Sequence, residues 1–369
     1  MTSEPVSREA TYRSLPVQVI ELKDGVLLRR GRIQVKIGGE RAITAIQKVL
    51  EATAGSSVPA SAIYSLFAEQ DRDQVEELLR FLKSRRLLVV SEGEAPENEP
   101  ETESPQDVFY WHFGADAATA HDRLCAKSFA ILGVNEISRR LAPALFESGA
   151  TDLEVIDYPL LRNVRLFDID GNPREDGAWP AAFSPAAFDN WLPLIEADRL
   201  HCVIATSDFG GQHFLRQFNE LCIEKKINFL PVVLCDLVGY VGPLVVPGET
   251  ACLECLRARQ NSNLDQFVVQ RAAEEQSYEG QGVNGYLPSM ASILADVAAV
   301  EIVKFFTGLP QMRAGHLIEV NLLAGRMESS KVLKVPRCPV CSPLRKTPPI
   351  ALQLATLMSS QGYNARYSG

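Results

Sequence analysis

Cys252 and Cys255 in "ACLEC", with Cys338 and Cys341 in "RCPVC", are the residues whose types and spacing most directly imply chemistry. Two residues between cysteines let both sulfurs of a knuckle reach one ion, and Pro339 stiffens the second knuckle. The second pair returns after 82 residues, so the two knuckles can together complete a four-thiolate, tetrahedral zinc site. The competing reading is one redox dithiol beside an unrelated buried pair. Four thiolates leave no open coordination position, so such a zinc would tie the fold together and activate no water. The remaining cysteines, Cys125, Cys202, Cys222 and Cys235, sit in apolar stretches such as "HCVIAT" and are expected to be reduced core residues. His121, His201, His213 and His316 have no acid or cysteine at a suggestive spacing, and Trp111, Trp179 and Trp191 read as packing residues.

The elements that must position these residues fall into two groups. Residues 15–37 alternate in polarity around a Lys23-Asp24-Gly25 turn, which predicts a β-hairpin, and a third strand then sets Ile33, Val35 and Ile37 against Gln34 and Lys36. The period then changes to helical. Ile43, Ile46 and Leu50 form one stripe, "PASAIYSLFAE" a second helix, and Val75, Leu78, Leu79 and Leu82 a third, begun by a capping-box-like Asp73/Glu76 pair. "RLLVV" closes the module as a strand. Short strands with three helices in about eighty residues make a winged helix-turn-helix arrangement, expected over residues 13–91 behind a flexible tail, 1–12. Farther on, "KSFAILGV", "EISRRLAPALFESG" and "TDLEVIDY" read as a βαβ start. Residues 165–200 look like an insertion, after which "LHCVIATSD", "GGQHFLRQFNELCIEKK" and "INFLPVVLC" resume the α/β rhythm. A long apolar helix ends at Gly308.

The 369-residue chain is 46% apolar, enough for a sizeable core, and its net charge is −9. Residues 92–107, "EGEAPENEPETESPQD", carry seven acids and no base, so the folded parts are nearly neutral and this stretch is expected to be a disordered tether. It separates the small module from a domain over 108–345, with a tail over 346–369. The charge argues against nucleic acid as a partner. No apolar run is long enough to span a bilayer and no apolar signal region opens the chain, so no membrane partner and a cytoplasmic location are expected.

Residues 108–345 resemble the ThiF-like, ubiquitin-activating-enzyme superfamily. "ILGVNEISRRLAPALFESGATDLEVIDY" matches its nucleotide-loop unit and "VIATSDF" its Thr-Asp-Asn strand end. "GPLVVPGETACLEC" with "CPVC" matches its zinc knuckles, and "SILADVAAVEIVKFFTG" its late helix. With the winged module in front, the chain resembles the leader-peptide-binding partner proteins of YcaO cyclodehydratases, from thiazole/oxazole-modified peptide and thiopeptide pathways. The implied fold class is α/β: a winged module followed by a Rossmann-like ThiF-type domain with a structural zinc site. The implied partners are a precursor peptide leader, a YcaO enzyme and, as a candidate, a second copy of the chain.

Active members of this superfamily adenylate a carboxyl terminus, using a Gly-rich loop whose backbone N–H groups meet phosphates at a helix N-terminus. Here the loop is Gly133-Val134-Asn135-Glu136-Ile137-Ser138, with only the first glycine kept. Asn135 brings a side chain where close approach is needed, and Glu136 adds a like charge whose repulsion is on the order of 1–4 kcal/mol at 4 Å. Asp157 stands at the ribose position and Asp208 at the magnesium position, though both could be strand-end residues kept for the fold. Pro159 replaces the family's next acid, and no lysine occurs between Lys127 and Lys225. Arg162 and Arg165 are partial substitutes at shorter spacing. The expectation is a degenerate nucleotide site at Gly133, Asn135, Asp157, Arg165 and Asp208, with no catalytic residue and no ATP binding. Leader capture is expected as strand addition to the third strand beside the third helix, with contacts at Gln34, Val35, Lys36, Leu79, Arg80 and Lys83. An adenylating enzyme is the alternative. A DNA-binding regulator is disfavoured by Glu76 and Glu77 on the third helix.

Overall fold

The computed structural model describes residues 10–91, 104–168, 170, 172, 174, 179–196, 199–262, 285–310 and 312–346. The chain divides into two compact units at Ala120/His121. In the first, β1 (Thr11–Ser14) is followed by the hairpin β2 (Gln18–Leu22) and β3 (Gly25–Arg30), then β4 (Ile33–Ile37). Helix α1 (Glu40–Ala52) leads to β5 (Val58–Pro59), α2 (Ala60–Tyr64), α3 (Arg72–Ser84), β6 (Leu88–Ser91) and α4 (Pro105–His112). The predicted hairpin and third strand are present, with Leu22 opposite Gly25 and Leu28 opposite Val35. Gly25 is required there: a Cβ would lie 2.3 Å from the Ile37 carbonyl oxygen. Val26, Leu28 and Val35 pack with Ile46 and Val49 of α1 and Val75, Leu79 and Leu82 of α3 in one core.

Three expectations change here. The chain at residues 11–12 is not a tail, because β1 pairs with both β5 and β6 in a second three-stranded sheet. Asp73 and Glu76 form no capping box: α3 starts at Arg72 after a 3₁₀ turn, and its cap residue Asp71 makes no side-chain cap bond. The acidic stretch ends earlier than expected. Ser104 caps α4 in a reciprocal box with Asp107, while residues 92–103 lie outside the described ones. α4 belongs to the first unit, where the Trp111 indole N–H donates to the Arg86 carbonyl at 2.8 Å and the Arg30 guanidinium stacks 4.7 Å from the Trp111 ring. The expected tail after residue 346 likewise lies outside the described residues.

Past α5 (Ala117–Cys125), the second unit is built on an eight-stranded sheet. In chain order its elements are β7 (Ser128–Leu132), α6 (Glu136–Glu147), β8 (Asp152–Asp157), β9 (Ala186–Ala187), α7 (Trp191–Glu196) and β10 (Cys202–Ser207). Then come α8 (Gln212–Lys225), β11 (Asn228–Cys235), β12 (Val238–Val241), α9 (Leu253–Ser262), α10 (Pro288–Thr307), β13 (His316–Asn321) and β14 (Arg326–Lys331). The sheet order is β14-β13-β12-β11-β10-β7-β8-β9, parallel from β11 to β9 and antiparallel beyond β11. β7, β10 and β11 are buried on both faces, which is why they read as continuous apolar runs. α10 buries a face rich in alanine (Ala291, Ala295, Ala298, Ala299), and small side chains let it pack closely against α6 and β12. From β7 the chain crosses to β8 on one side and later returns to β10 on the other. A Rossmann-like switch point therefore opens at the carboxyl ends of β7 and β10, where such sheets bind ligands.

Candidate functional site

The switch-point crevice gathers Gly133, Asn135 and Asp208, and the donors at the start of α6 are already taken. Asn135 is fully buried at the N-cap of α6. Its Oδ1 accepts from the Ile137 and Ser138 N–H groups at 3.1 and 3.2 Å. Its Nδ2 donates to the Leu161 carbonyl at 3.2 Å, and to both the carbonyl and Oγ1 of Thr206 at 3.0 Å. The Ser138 hydroxyl completes the box by accepting the Asn135 N–H at 2.9 Å. Two of the helix-terminal amides that would meet a phosphate are thus satisfied by a side chain. Gly133, at φ +99°, keeps its place for packing: a Cβ would fall 2.8 Å from the Thr206 carbonyl oxygen and 2.9 Å from Asn135 Nδ2.

Asp208 is 1% exposed and closes the same helix end from the other side. Its Oδ2 accepts from the Glu136 N–H at 3.0 Å, Asn163 Nδ2 at 2.7 Å and the Tyr286 hydroxyl at 2.7 Å. A fixed carboxylate on the positive end of α6 is the charge that the helix dipole favours there. Burial, reinforced by the Asp208 charge, pushes the Tyr286 hydroxyl well above the ordinary phenol range, so it stays a donor at neutral pH. Glu136 turns its carboxylate to Arg139 at 3.2 Å.

Asp157 stands apart at the end of β8. Arg162 grips it with two bonds, Nε to Oδ1 at 2.6 Å and Nη2 to Oδ2 at 2.5 Å, and lies 4.5 Å from the Phe167 ring. The hydrogen bond to Asp157 raises the Arg162 pKa. Arg165 is not brought into the crevice lining by any such bond: it is exposed and its backbone N–H donates to Asn163 Oδ1 at 3.1 Å. Sequence reasoning missed Asn163, Thr206 and Tyr286. Tyr286 lies 78 residues from Asp208, and no motif connects them.

On the leader-contact residues, β4 is an edge of its sheet, and Gln34, Lys36, Arg80 and Lys83 are exposed. Lys36 pairs with Asp24 at 2.6 Å and Arg80 with Glu76 at 2.9 Å. Val35 and Leu79 are corrected: both side chains are buried in the module's own core, so neither can meet a partner.

The four cysteines of the knuckles converge. All four sulfurs lie within 4.8 Å of one another, with Cys252–Cys255, Cys252–Cys338 and Cys255–Cys341 separations of 3.8, 3.6 and 3.4 Å. Zinc–sulfur bonds of about 2.3 Å at tetrahedral angles require sulfur–sulfur edges of about 3.8 Å, so the set fits one zinc ion. The Val335 N–H donates to Cys255 Sγ at 3.3 Å. Hydrogen bonds from the Cys252 and Cys341 thiols, then that N–H, hold the Cys255 thiol far below its usual range. Of the other cysteines, Cys202 and Cys222 are core residues, and burial raises the pKa of both thiols. Cys235 is exposed, which corrects its placement in the core. Cys125 lies 3.3 Å from His121 Nε2, a one-turn pairing that the sequence reading overlooked.

Comparison with known proteins agrees with this architecture. Residues 184–340 match the ThiF family. Protein HesA of Leptolyngbya boryana is 26% identical over 125 residues, covering 33% of this chain and 38% of HesA. The heterocyclase TruD superposes with a TM-score of 0.60 at 17% identity, over 94% of this chain and 47% of TruD. The microcin C7 biosynthetic enzyme MccB, in complex with N-formylated MccA, superposes with a TM-score of 0.63 at 17% identity, over 90% of this chain and all of MccB. The chain thus spans less than half the length of HesA and of TruD. Sheet order and switch-point crevice agree with that family match, which covers residues 184–340.

Proposed function

We propose that this chain is a non-catalytic component in the biosynthesis of ribosomally made, modified peptides. On this reading it captures a precursor's leader and presents the peptide to a YcaO-type enzyme, which forms azoline rings from Cys, Ser or Thr with ATP. The observation that carries it is the self-satisfied crevice: Asn135 and Asp208 hold the α6 end, and Asp157 is clamped by Arg162. Groups that an adenylating enzyme would offer to ATP·Mg²⁺ are spent on the protein itself. The first unit, read as a winged helix-turn-helix, would take the leader as an added strand on the open edge of β4, where main-chain bonds give affinity. Gln34, Lys36, Arg80 and Lys83 would set its specificity. Cys252, Cys255, Cys338 and Cys341 would hold a zinc ion whose chemistry is structural, since no coordination position is left for substrate. Likeness to TruD and MccB supports a peptide-tailoring role through the shared fold.

The test is calorimetric titration of the full chain with ATP·Mg²⁺, beside reconstitution with its precursor and YcaO partner. No ATP binding by the lone chain, and ring formation only with the partner, is the expected result. A second reading, an enzyme adenylating a peptide carboxylate, is favoured by Asp157 and Asp208 standing at strand ends. Micromolar ATP binding, with product lost in Asp208→Ala, would establish it instead.

A further inference from the structure

Two helix N-termini face the carboxyl end of the parallel strands, and they differ. That of α6 is filled by Asn135 and Asp208, whereas α8 begins at Gly211, in the left-handed region at φ +69°, with no side-chain cap. Beside it is a polar group with nothing to bond. The Ser207 hydroxyl is fully buried and has no hydrogen-bond partner among the described residues. It lies 3.1 Å from where a Gly211 Cβ would stand, so it is directed at the start of α8. A buried hydroxyl without a partner loses its hydration for no return, which native proteins rarely tolerate unless something binds there. Glycine at 211 leaves the space beside the hydroxyl unfilled, since a side chain would also meet the Phe209 ring at 3.1 Å.

We propose that Ser207 and the first turn of α8 form an oxyanion site, taking one carboxylate or phosphate group. The Ser207 hydroxyl and the first backbone N–H groups of the helix would donate, and the helix dipole favours negative charge there. The neighbouring Asp208 carboxylate accepts from Glu136 N–H, Asn163 and Tyr286 and so leaves these donors unused, while its remaining charge limits the affinity for an oxyanion. This site is independent of the peptide-presenting reading, which could fail while the oxyanion site stands.

The experiment follows backbone amide resonances of the full chain during titration. The probes are inorganic phosphate, a short peptide with a free C-terminal carboxylate, and the same peptide as its C-terminal amide. Saturable shifts at Gly211 and Gln212, with Ile137 and Ser138 unmoved, are expected from phosphate, from the free-acid peptide, or from both. The ordering of the two identifies the source of the oxyanion. Ser207→Ala should weaken that binding roughly tenfold, as loss of a charge-assisted hydrogen bond does. Equal binding of acid and amide peptides without phosphate binding, unsaturable shifts, or unchanged affinity in Ser207→Ala would each overturn the proposal.

Discussion

The crevice and the four-cysteine cluster are both built from groups able to hold charged ligands, yet they stand in opposite states. In the crevice every acid has found protein donors: Asp208 has three and Asp157 a two-pronged arginine. In the cluster the sulfurs face chiefly one another, and the Val335 N–H donates to Cys255. Four packed sulfurs make poor hydrogen bonds, and their convergence suits a metal ion. The acids need none, because strong neutral and cationic donors surround them. The difference teaches that ligand-type residues are evidence of a ligand only when the protein has left them unspent.

The largest test of this contrast is at the cluster. Zinc bound by four thiolates contributes on the order of 10 kcal/mol to folding. Cys341→Ser or Cys255→Ser should therefore give insoluble or unfolded protein, and elemental analysis of the wild type should find one zinc per chain. A soluble, folded, metal-free Cys341→Ser chain would break the comparison.

Next comes Asn135→Ala, which removes a helix cap and strands the Thr206 and Leu161 carbonyls in the interior. Loss of roughly 2–4 kcal/mol is expected in denaturant unfolding. A gain in ATP affinity in this variant would show that the asparagine alone closes the site.

Removing Arg162 should cost less, about 1–2 kcal/mol, because the pair with Asp157 is partly exposed. The double variant Asp157→Asn with Arg162→Met should recover much of that loss. A recovery absent from the double variant would mean that Arg162 matters through its stacking on Phe167.

Tyr286→Phe is the smallest change, about 1.5 kcal/mol, the low end for a hydrogen bond to a carboxylate that keeps two other donors. The folded-state pKa of Tyr286 is raised above the ordinary phenol value of about 10, so its contribution is fully present below that pH and is lost only as pH rises through the folded value. The stability gap between wild type and variant should stay flat from pH 6 to about 10. A gap that closes near neutral pH would show that Tyr286 does not hold Asp208 as a protonated donor.

Spacing alone made the cysteine set and most elements legible, because both depend on neighbours close in the chain. C-x-x-C geometry is local, and so are the alternation of β4 and the apolar runs of β7, β10 and β11. The short strands β1 and β5 were missed because two to four residues carry too little pattern, and only pairing with β6 makes them strands. Val35 and Leu79 were named as leader contacts although they stood on the apolar face of their strand and helix, because pattern alone does not say whether such a face is closed by the module's own core.

For this protein the sequence by itself determined the α/β alternation, the four sulfur donors, and a phosphate loop that keeps one glycine of its motif. Tertiary structure decided what became of the rest. It made Asn135 a cap rather than an obstruction, joined Asp208 to Asn163 and Tyr286, and left Ser207 without a partner among the described residues, beside an uncapped helix. The physical reason is that satisfaction of a buried polar group is settled by whichever donors packing brings within about 3 Å, and those come from distant parts of the chain.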